Sequence, residues 1–210
     1  MRLMIILGST RQGRRGEVVA RWVKAAAEAD ERFEVDYVDL RELNLPFFDE
    51  PMSPFAIRDT GASYIHPEGE AWAQRVGHAQ GILIVTPEYN HGYPAVLKNA
   101  LDWVGREWVD KPVAYVSYGN ITGGVRSVEQ LRQVTNELGL VQVANAIYFP
   151  SISRGAFTEA GQPAHEGAND NLKAMFDELT RLYDIFCVTK TPNLNAGQAC
   201  REDAAPSHQP

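Results

Sequence analysis

Residues 3–16 have the sequence LMIILGSTRQGRRG, in which an apolar run precedes a turn rich in glycine, hydroxyl side chains and arginine. The pattern predicts a buried strand at Leu3–Leu7 and a helix that begins near Glu17. Turn amides and a helix N-terminus direct partial positive charge toward an anion. The hydroxyls of Ser9 and Thr10 and three arginines add further donors and charge. The turn therefore predicts a phosphate site, the alternative being an ordinary connection with surface arginines.

The glycine spacing argues against two familiar phosphate-binding loops. A dinucleotide-binding turn needs G-x-G-x-x-G, and Thr10 lies where its second glycine should be. A nucleoside-triphosphate loop needs G-x-x-x-x-G-K-[ST]. Gly8 and Gly13 match its first half, but Arg14 and Arg15 replace the lysine and the magnesium-binding hydroxyl. The turn therefore favours a monophosphate bound without a metal ion.

Composition limits the partners and the location of the protein. Its 210 residues fit one domain. A net charge of −7 argues against non-specific binding to nucleic acid or anionic membranes, so we expect neither as a partner. Without a signal peptide, a membrane-length apolar run or a disulfide framework, Cys187 and Cys200 are expected to be unpaired thiols of a cytoplasmic protein. The histidines lack metal-ligand spacing, so no metal site is predicted.

Strand-like runs alternate with helical patterns along the chain, which is typical of a parallel sheet covered on both faces. The fold class predicted is α/β, a flavodoxin-like doubly wound sheet of three layers with strand order 2-1-3-4-5. This domain spans residues 1–190, and a flexible tail follows at 191–210. Residues 41–66, with three prolines and no sustained periodicity, are predicted to lack regular structure and to serve function or an interface. The predicted strands are 3–7, 33–40, 81–86, 112–117 and 144–149, and the predicted helices are 17–29, 67–78, 94–104, 125–138 and 169–187.

In this topology a ligand lies at the carboxyl ends of strands 1 and 3, so the loop after strand 3 should also carry site residues. That loop, TPEYNHGYP at 86–94, could present backbone N–H groups to a planar heterocycle flanked by tyrosines, or could simply cap the next helix. The loop after strand 4, SYGNITGG at 117–124, contains Ser117 and Asn120 as potential donors. Its Gly123–Gly124 pair would let a second molecule approach closely.

Together these loops resemble the NAD(P)H-dependent FMN reductase family, flavoproteins with a flavodoxin-like fold. The resemblance is carried by GSTRxGRxG at 8–16, PEYNxGYPAVLKNALDW at 87–103 and SYGNxxGG at 117–124, and it covers about residues 2–188. It implies bound FMN, NADPH or NADH as co-substrate, and a small-molecule electron acceptor such as a flavin or a quinone. It also implies a homodimer or homotetramer.

The resemblance further implies which residues hold FMN. Those near the phosphate would be Ser9, Arg11, Arg14, Arg15 and Gly16. Those that border the isoalloxazine with backbone amides would be Pro87, Glu88, Tyr89 and Asn90. Those on the pyrimidine side and near the open face would be Ser117, Tyr118, Gly119, Gly123 and Gly124. Hydride chemistry belongs to the flavin, so no side chain is predicted to be catalytic.

Two other functions fit the same pattern. An FMN-binding electron carrier would bind the cofactor without turning over nicotinamide, and a flavin-free protein would use the fold for nucleotide binding or regulation. Carriers of this type have phosphate loops with little positive charge and shield the flavin with aromatics where this chain has glycines, which favours the reductase. His91 is more consistent with a solvated side chain than with a catalytic one. Arg126 and Arg154 are candidates to contact the 2′-phosphate of NADPH.

Overall fold

The structure, a computed structural model, describes residues 1–190, and the side chains of residues 1–186. The predicted tail at 191–210 and the side chains of Cys187 and Cys200 lie outside this part of the chain. Among the described helices, none is both long and apolar enough to cross a membrane.

The strands form one parallel sheet in the order β2-β1-β3-β4-β5, with a last short strand, β6, also paired to β4. This order confirms the flavodoxin-like prediction. Register pairs Leu7 with Val85 and Thr86 with Ser117, so β1, β3 and β4 end at one edge of the sheet. The strands are β1 (Arg2–Leu7), β2 (Glu34–Asp39), β3 (Gly81–Pro87), β4 (Pro112–Tyr118), β5 (Val141–Gln142) and β6 (Ile147–Phe149).

Helices cover both faces of the sheet, and successive residues of β1 point to opposite faces. Leu3 and Ile5 pack against α1 and α7, whereas Met4 and Ile6 pack beneath the remaining helices. All the predicted helices are present. The helices are α1 (Gly16–Glu28), α2 (Leu40–Leu43), α3 (Pro54–Thr60), α4 (Pro67–His78), α5 (Ala95–Asp102), α6 (Val125–Glu137) and α7 (Ala168–Lys190), with a 3-10 turn at Arg106–Trp108.

The predicted fifth strand at 144–149 is wrong in its bounds, because the chain pairs with β4 in two separate pieces. Arg132 of α6 explains the interruption. Its guanidinium donates to the carbonyls of Val143 (3.2 Å) and Ala144 (2.9 Å). Because these carbonyls accept hydrogen bonds from a side chain, pairing with β4 is interrupted here and resumes only at β6.

The prediction that 41–66 lacks regular structure is also wrong in part, because the segment contains α3 and most of α2. The Ser53 hydroxyl caps α3 by accepting from the N–H of Ala56 (3.2 Å), and Pro54 occupies the first turn. Gly61 ends the helix in the left-handed region, with φ 71°. These are ordinary start and stop signals. The helix is about two turns long, too short for a sustained apolar period.

The segment between α2 and α3 is fastened to α5. The Asn99 side chain donates to the carbonyl of Pro46 (2.7 Å) and accepts from the N–H of Phe48 (2.9 Å). The indole of Trp103 donates to the same Pro46 carbonyl (2.8 Å). Buried side chains of the NALDW motif therefore order a stretch that has no secondary structure of its own.

Candidate functional site

A cleft of about 380 Å³ lies at the carboxyl edge of the sheet, where β1, β3 and β4 end. It brings together residues from all three predicted loops. The predicted residues that line it are Arg11, Arg14, Arg15, Pro87, Glu88, Tyr89, Tyr118 and Gly119. The other predicted residues, Ser9, Gly16, Asn90, Ser117, Gly123 and Gly124, belong to the same loops but do not line the cleft.

The first loop, after β1, offers unengaged backbone donors. The N–H of Gly8 donates to the Val85 carbonyl (2.8 Å), which fastens the start of the loop to β3. The N–H groups of residues 9–13 donate to no acceptor within the described part of the chain. No side chain there caps the first turn of α1 either. This is the donor set expected of an anion site at a helix N-terminus.

The three arginines of the first loop divide into two kinds. Arg14 is buried, and its guanidinium pairs with Asp39, with Glu17 Oε1 (3.0 Å) and with the Ser9 carbonyl. Arg11 and Arg15 are exposed and have no ion-pair partner among residues 1–186. The cleft therefore receives unpaired positive charge from Arg11 and Arg15, while Arg14 is committed to the protein.

Charge pairing keeps Arg14 and Asp39 ionised. Burial alone would lower the pKa of Arg14, and the hydrogen bond and charge of Asp39 outweigh that effect and raise it. Burial alone would raise the pKa of Asp39, and the hydrogen bond from Arg14 brings it below its usual value. The pair is therefore a fixed ion pair at neutral pH.

Tyr118 reaches the first loop from the end of β4. A Cβ atom placed at Gly16 would overlap the Tyr118 hydroxyl and lie 2.9 Å from Leu7 Cδ1, so only glycine fits there. The hydroxyl is buried and has no hydrogen-bond partner within the described residues. Burial raises its pKa and outweighs the opposing effect of the nearby Ser9 hydroxyl, so the Tyr118 hydroxyl stays protonated. The Tyr118 side chain therefore lies beside the first loop, and its place on the pyrimidine side of FMN stays a prediction.

The second loop, after β3, forms a tight turn. Tyr89 and Gly92 exchange both backbone hydrogen bonds (2.8 and 2.9 Å), and the two residues between them, Asn90 and His91, have φ values of 50° and 71°. Two successive positive φ values define the two-residue turn that suits a hairpin. The Tyr89 hydroxyl also contacts the Ser9 hydroxyl (2.6 Å), which joins the first and second loops across the cleft.

This turn corrects the expectation that four residues present backbone amides. Pro87 has no N–H, the N–H of Glu88 donates to the Tyr118 carbonyl (3.2 Å), and that of Tyr89 donates to Gly92. Of these four residues, only Asn90 has an N–H without an acceptor among the described residues. His91 is exposed, in agreement with a solvated side chain.

Glu88 braces the second loop against α6. Its carboxylate accepts from Arg126 Nε (2.7 Å), from the Arg126 N–H (3.2 Å) and from the Thr122 hydroxyl (3.2 Å). Burial alone would raise the pKa of Glu88, and the hydrogen bond and charge of Arg126 outweigh it and lower the pKa. Of the two candidates to contact the 2′-phosphate of NADPH, Arg126 is therefore already paired with Glu88. Arg154 is exposed and has no acidic partner in the described part of the chain.

The third loop, after β4, uses its glycines for packing. Gly123 and Gly124 are buried, with φ values of 66° and 94°. A Cβ atom at Gly124 would lie 2.7 Å from the Ser117 Oγ, which is itself fully buried and donates to the Gly123 carbonyl (2.8 Å). In this structure the glycine pair and Ser117 contact one another, while the open face beside the glycines and the donation by Ser117 to a ligand stay predictions.

A fourth wall comes from the segment after β6, which was not among the predicted site residues. Ile152 and Ser153 line the cleft, together with Asn120 and Gly13. The N–H of Ile152 donates to the Gly119 carbonyl (3.1 Å), which holds the segment against the third loop. The signal was available, because β6 runs parallel to β4 and the loop that follows it must lie at the same edge.

The fold and this cleft define a flavodoxin-like protein with a loop of unengaged N–H groups and unpaired arginines at the switch point of the sheet. Residues 1–153 match the family model described as NADPH-dependent FMN reductase. The chain is 34% identical over 186 residues to an NAD(P)H-dependent FMN reductase of Schizosaccharomyces pombe, covering 87% of this chain and 90% of that protein. The chain belongs to the NADPH-dependent FMN reductase family.

Two further comparisons give a similar relative and a solved structure of the same fold. An NADPH:quinone oxidoreductase of Arabidopsis thaliana is 39% identical over 118 residues, 55% of each chain. The structure of FerB, a flavoenzyme NAD(P)H:acceptor oxidoreductase from Paracoccus denitrificans, superposes with a TM-score of 0.67 at 21% identity. That superposition covers 88% of this chain and 97% of FerB, and it supports the fold.

Proposed function

We propose that the protein is an NAD(P)H-dependent oxidoreductase that holds FMN in this cleft and reduces a flavin, a quinone or a similar small acceptor. The observation that carries the proposal is the first loop, where unengaged N–H groups and two unpaired arginines meet beside a buried, unpartnered tyrosine hydroxyl. Bound FMN would supply the redox chemistry of the reaction, namely acceptance of a hydride from NADPH or NADH and donation of electrons to the acceptor.

The residues of the first loop fit the phosphate of FMN. Arg11 and Arg15 supply charge, and charge-assisted hydrogen bonds to phosphate are the stronger kind. The N–H groups of residues 9–13 and the hydroxyl of Tyr118 supply neutral donors. Gly16 contributes by leaving room for Tyr118, and Arg14 by fixing the Ser9 carbonyl.

The second and third loops would border the isoalloxazine. Pro87 and Tyr89 form one wall, and Gly119 and Asn120 form another. Asn90 lies next to Tyr89 in the second loop, just outside the cleft lining, and its unengaged N–H would reach the edge of the ring. The Glu88 carboxylate accepts three hydrogen bonds from protein donors, which supports the view that it shapes the loop and transfers no proton.

Assembly into a homodimer or homotetramer in the cytoplasm is part of the proposal. Phe47 and Ile65, in the 41–66 segment, are 77% and 68% exposed, and exposed apolar side chains of this size support an interface on that segment. Light scattering of the purified protein tests the assembly, and a monomer at working concentration would contradict it.

An anaerobic titration tests the proposed activity. Purified protein reconstituted with FMN is mixed with NADPH or NADH under argon, and the loss of flavin absorbance is recorded before flavin and quinone acceptors are added. We expect bleaching by at least one donor and recovery of colour on addition of an acceptor. A flavin that stays oxidised with both donors would indicate an electron carrier, and protein that takes up no FMN would indicate a flavin-free function.

A further inference from the structure

Arg41, a residue outside the three site loops, contacts the back of the phosphate loop. It lies in α2, directly after β2. Its Nε donates to the carbonyl of Thr10 (3.2 Å) and its Nη2 to the carbonyl of Arg11 (2.5 Å). Since Arg14 donates to the carbonyl of Ser9, three consecutive carbonyls of the loop each accept from a guanidinium.

Asp39 fixes both of these arginines. Its Oδ1 accepts from Arg14 Nη1 (2.7 Å) and from the N–H of Arg41 (2.9 Å), and its Oδ2 accepts from Arg14 Nη2. Glu17 Oε1 adds contacts to Arg14 Nε (3.0 Å) and Arg41 Nη1 (3.6 Å). The end of β2, the start of α2, the loop and the first turn of α1 thus form one polar network, which we call the carbonyl brace.

The carbonyl brace determines where the loop directs its N–H groups. In a trans peptide unit the carbonyl of one residue and the N–H of the next point in opposite directions. With the carbonyls of residues 9–11 held toward Arg14 and Arg41, the N–H groups of residues 10–12 point away from the brace. Those N–H groups have no acceptor in the described part of the chain.

We propose that Arg41, together with Asp39, is a positioning residue that holds the loop in its phosphate-binding conformation without touching the cofactor. The inference rests on the proposed function, because it assumes that the anion is the phosphate of FMN. A guanidinium suits the task, since its planar fork can donate to two neighbouring carbonyls at once, whereas an ammonium is a compact point charge. The effect of the carbonyl brace should therefore be confined to the phosphate end of the flavin.

The comparison of FMN with riboflavin tests the proposal, because riboflavin lacks the phosphate. Apoprotein of wild type, Arg41→Ala and Arg41→Lys is titrated with each flavin, and quenching of flavin fluorescence gives the dissociation constants. We expect Arg41→Ala to weaken FMN binding about tenfold, or ~1.4 kcal/mol, and to leave riboflavin binding unchanged. Arg41→Lys should recover part of the loss.

Arg75→Ala is the matched control. Arg75 also joins an aspartate to a backbone carbonyl, through Asp36 Oδ1 (2.6 Å) and the Tyr37 carbonyl (2.9 Å), but it lies away from the loop. The Arg75→Ala variant should have the same ratio of riboflavin to FMN dissociation constants as wild type. An unchanged preference in Arg41→Ala, or an equal loss for both flavins, would overturn the positioning role. Failure of wild-type protein to bind either flavin would instead overturn the proposed function.

Discussion

Replacement of Tyr118 by phenylalanine should change the stability of the apoprotein and its affinity for FMN in opposite directions. The Tyr118 hydroxyl is buried beside Gly16 and has no well-aligned hydrogen-bond partner among the described residues, while the Ser9 and Tyr89 hydroxyls contact each other (2.6 Å). In the apoprotein the hydroxyl therefore makes no well-aligned hydrogen bond with the described residues, and its polar neighbour, the Ser9 hydroxyl, is already in contact with Tyr89. A bound phosphate would supply an acceptor.

The two effects have different magnitudes. An unsatisfied buried polar group costs about 1–3 kcal/mol, so its removal should stabilise the apoprotein by roughly 1 kcal/mol, the lower end of that range. A hydrogen bond to a charged group contributes about 1.5–3 kcal/mol, so FMN should bind roughly 10- to 150-fold more weakly. Riboflavin, which has no phosphate, should bind with unchanged affinity.

Urea unfolding with and without FMN measures both effects in one assay. Without FMN the variant should unfold at a higher urea concentration than wild type. With FMN in excess the order should reverse, because stabilisation by a ligand grows with its affinity for the native state. Tyr115→Phe is the control, since the Tyr115 hydroxyl is also buried but contacts the Thr135 hydroxyl (2.5 Å) away from the cleft. It should lower stability and leave FMN affinity unchanged.

One result would refute this reasoning. If Tyr118→Phe destabilises the apoprotein and binds FMN as tightly as wild type, the hydroxyl has a partner within the protein and no role toward the phosphate. Loss of affinity for FMN and riboflavin alike would place the hydroxyl against another part of the flavin.

Three further predictions concern the loops. Arg11→Ala should weaken FMN binding by about 1.5–3 kcal/mol in the same titration and spare riboflavin, and unchanged FMN affinity would move the phosphate site elsewhere. The pKa of Glu88 is lower in the folded than in the unfolded protein. The ion pair of Glu88 with Arg126 therefore contributes its full stabilisation above the ordinary glutamate pKa. This stabilisation is lost as the pH falls through the pKa of Glu88 in the folded protein. The difference in unfolding free energy between wild type and Glu88→Gln should therefore narrow below about pH 4.3, and a constant difference across a urea series would contradict this. Gly124→Ala should lower the free energy of unfolding in urea by about 1–3 kcal/mol. The φ of 94° at Gly124 and a Cβ contact of 2.7 Å to Ser117 Oγ both disfavour a side chain there. An unchanged free energy of unfolding would show that the loop rearranges.

The fold and the position of the site could be predicted from sequence because both follow from local patterns. In an alternating α/β chain, an apolar run such as Leu3–Leu7 forms a buried strand. The strand order then brings the loops after β1, β3 and β4 to one edge of the sheet. Short elements were harder to predict. α3 has good capping residues, but it is too brief for periodicity, and β5 and β6 are separated by hydrogen bonds from a side chain of another helix.

The roles of individual site residues could not be predicted in the same way, because they depend on contacts distant in sequence. Arg14 and Arg15 are adjacent and of one type, yet only Arg14 meets Asp39 at the end of the neighbouring strand. Likewise, Gly16 looks like a turn glycine until Tyr118, 102 residues later, is placed against it. A motif names residue types, whereas burial and partners decide which of them is left to bind a ligand.

The two kinds of arginine at the first loop perform separable tasks, and this explains why so many cations occur at one turn. Phosphate carries a charge of about −1.5 to −2 near neutral pH, which the two unpaired residues, Arg11 and Arg15, are sufficient to balance. Arg14 and Arg41 meet the acidic side chains of Asp39 and Glu17, so they add little net charge, and their guanidinium groups instead hold the carbonyls of residues 9–11. Ionic strength should therefore weaken the contribution of the exposed pair more than that of the buried, paired Arg14, because salt screens exposed charges most strongly.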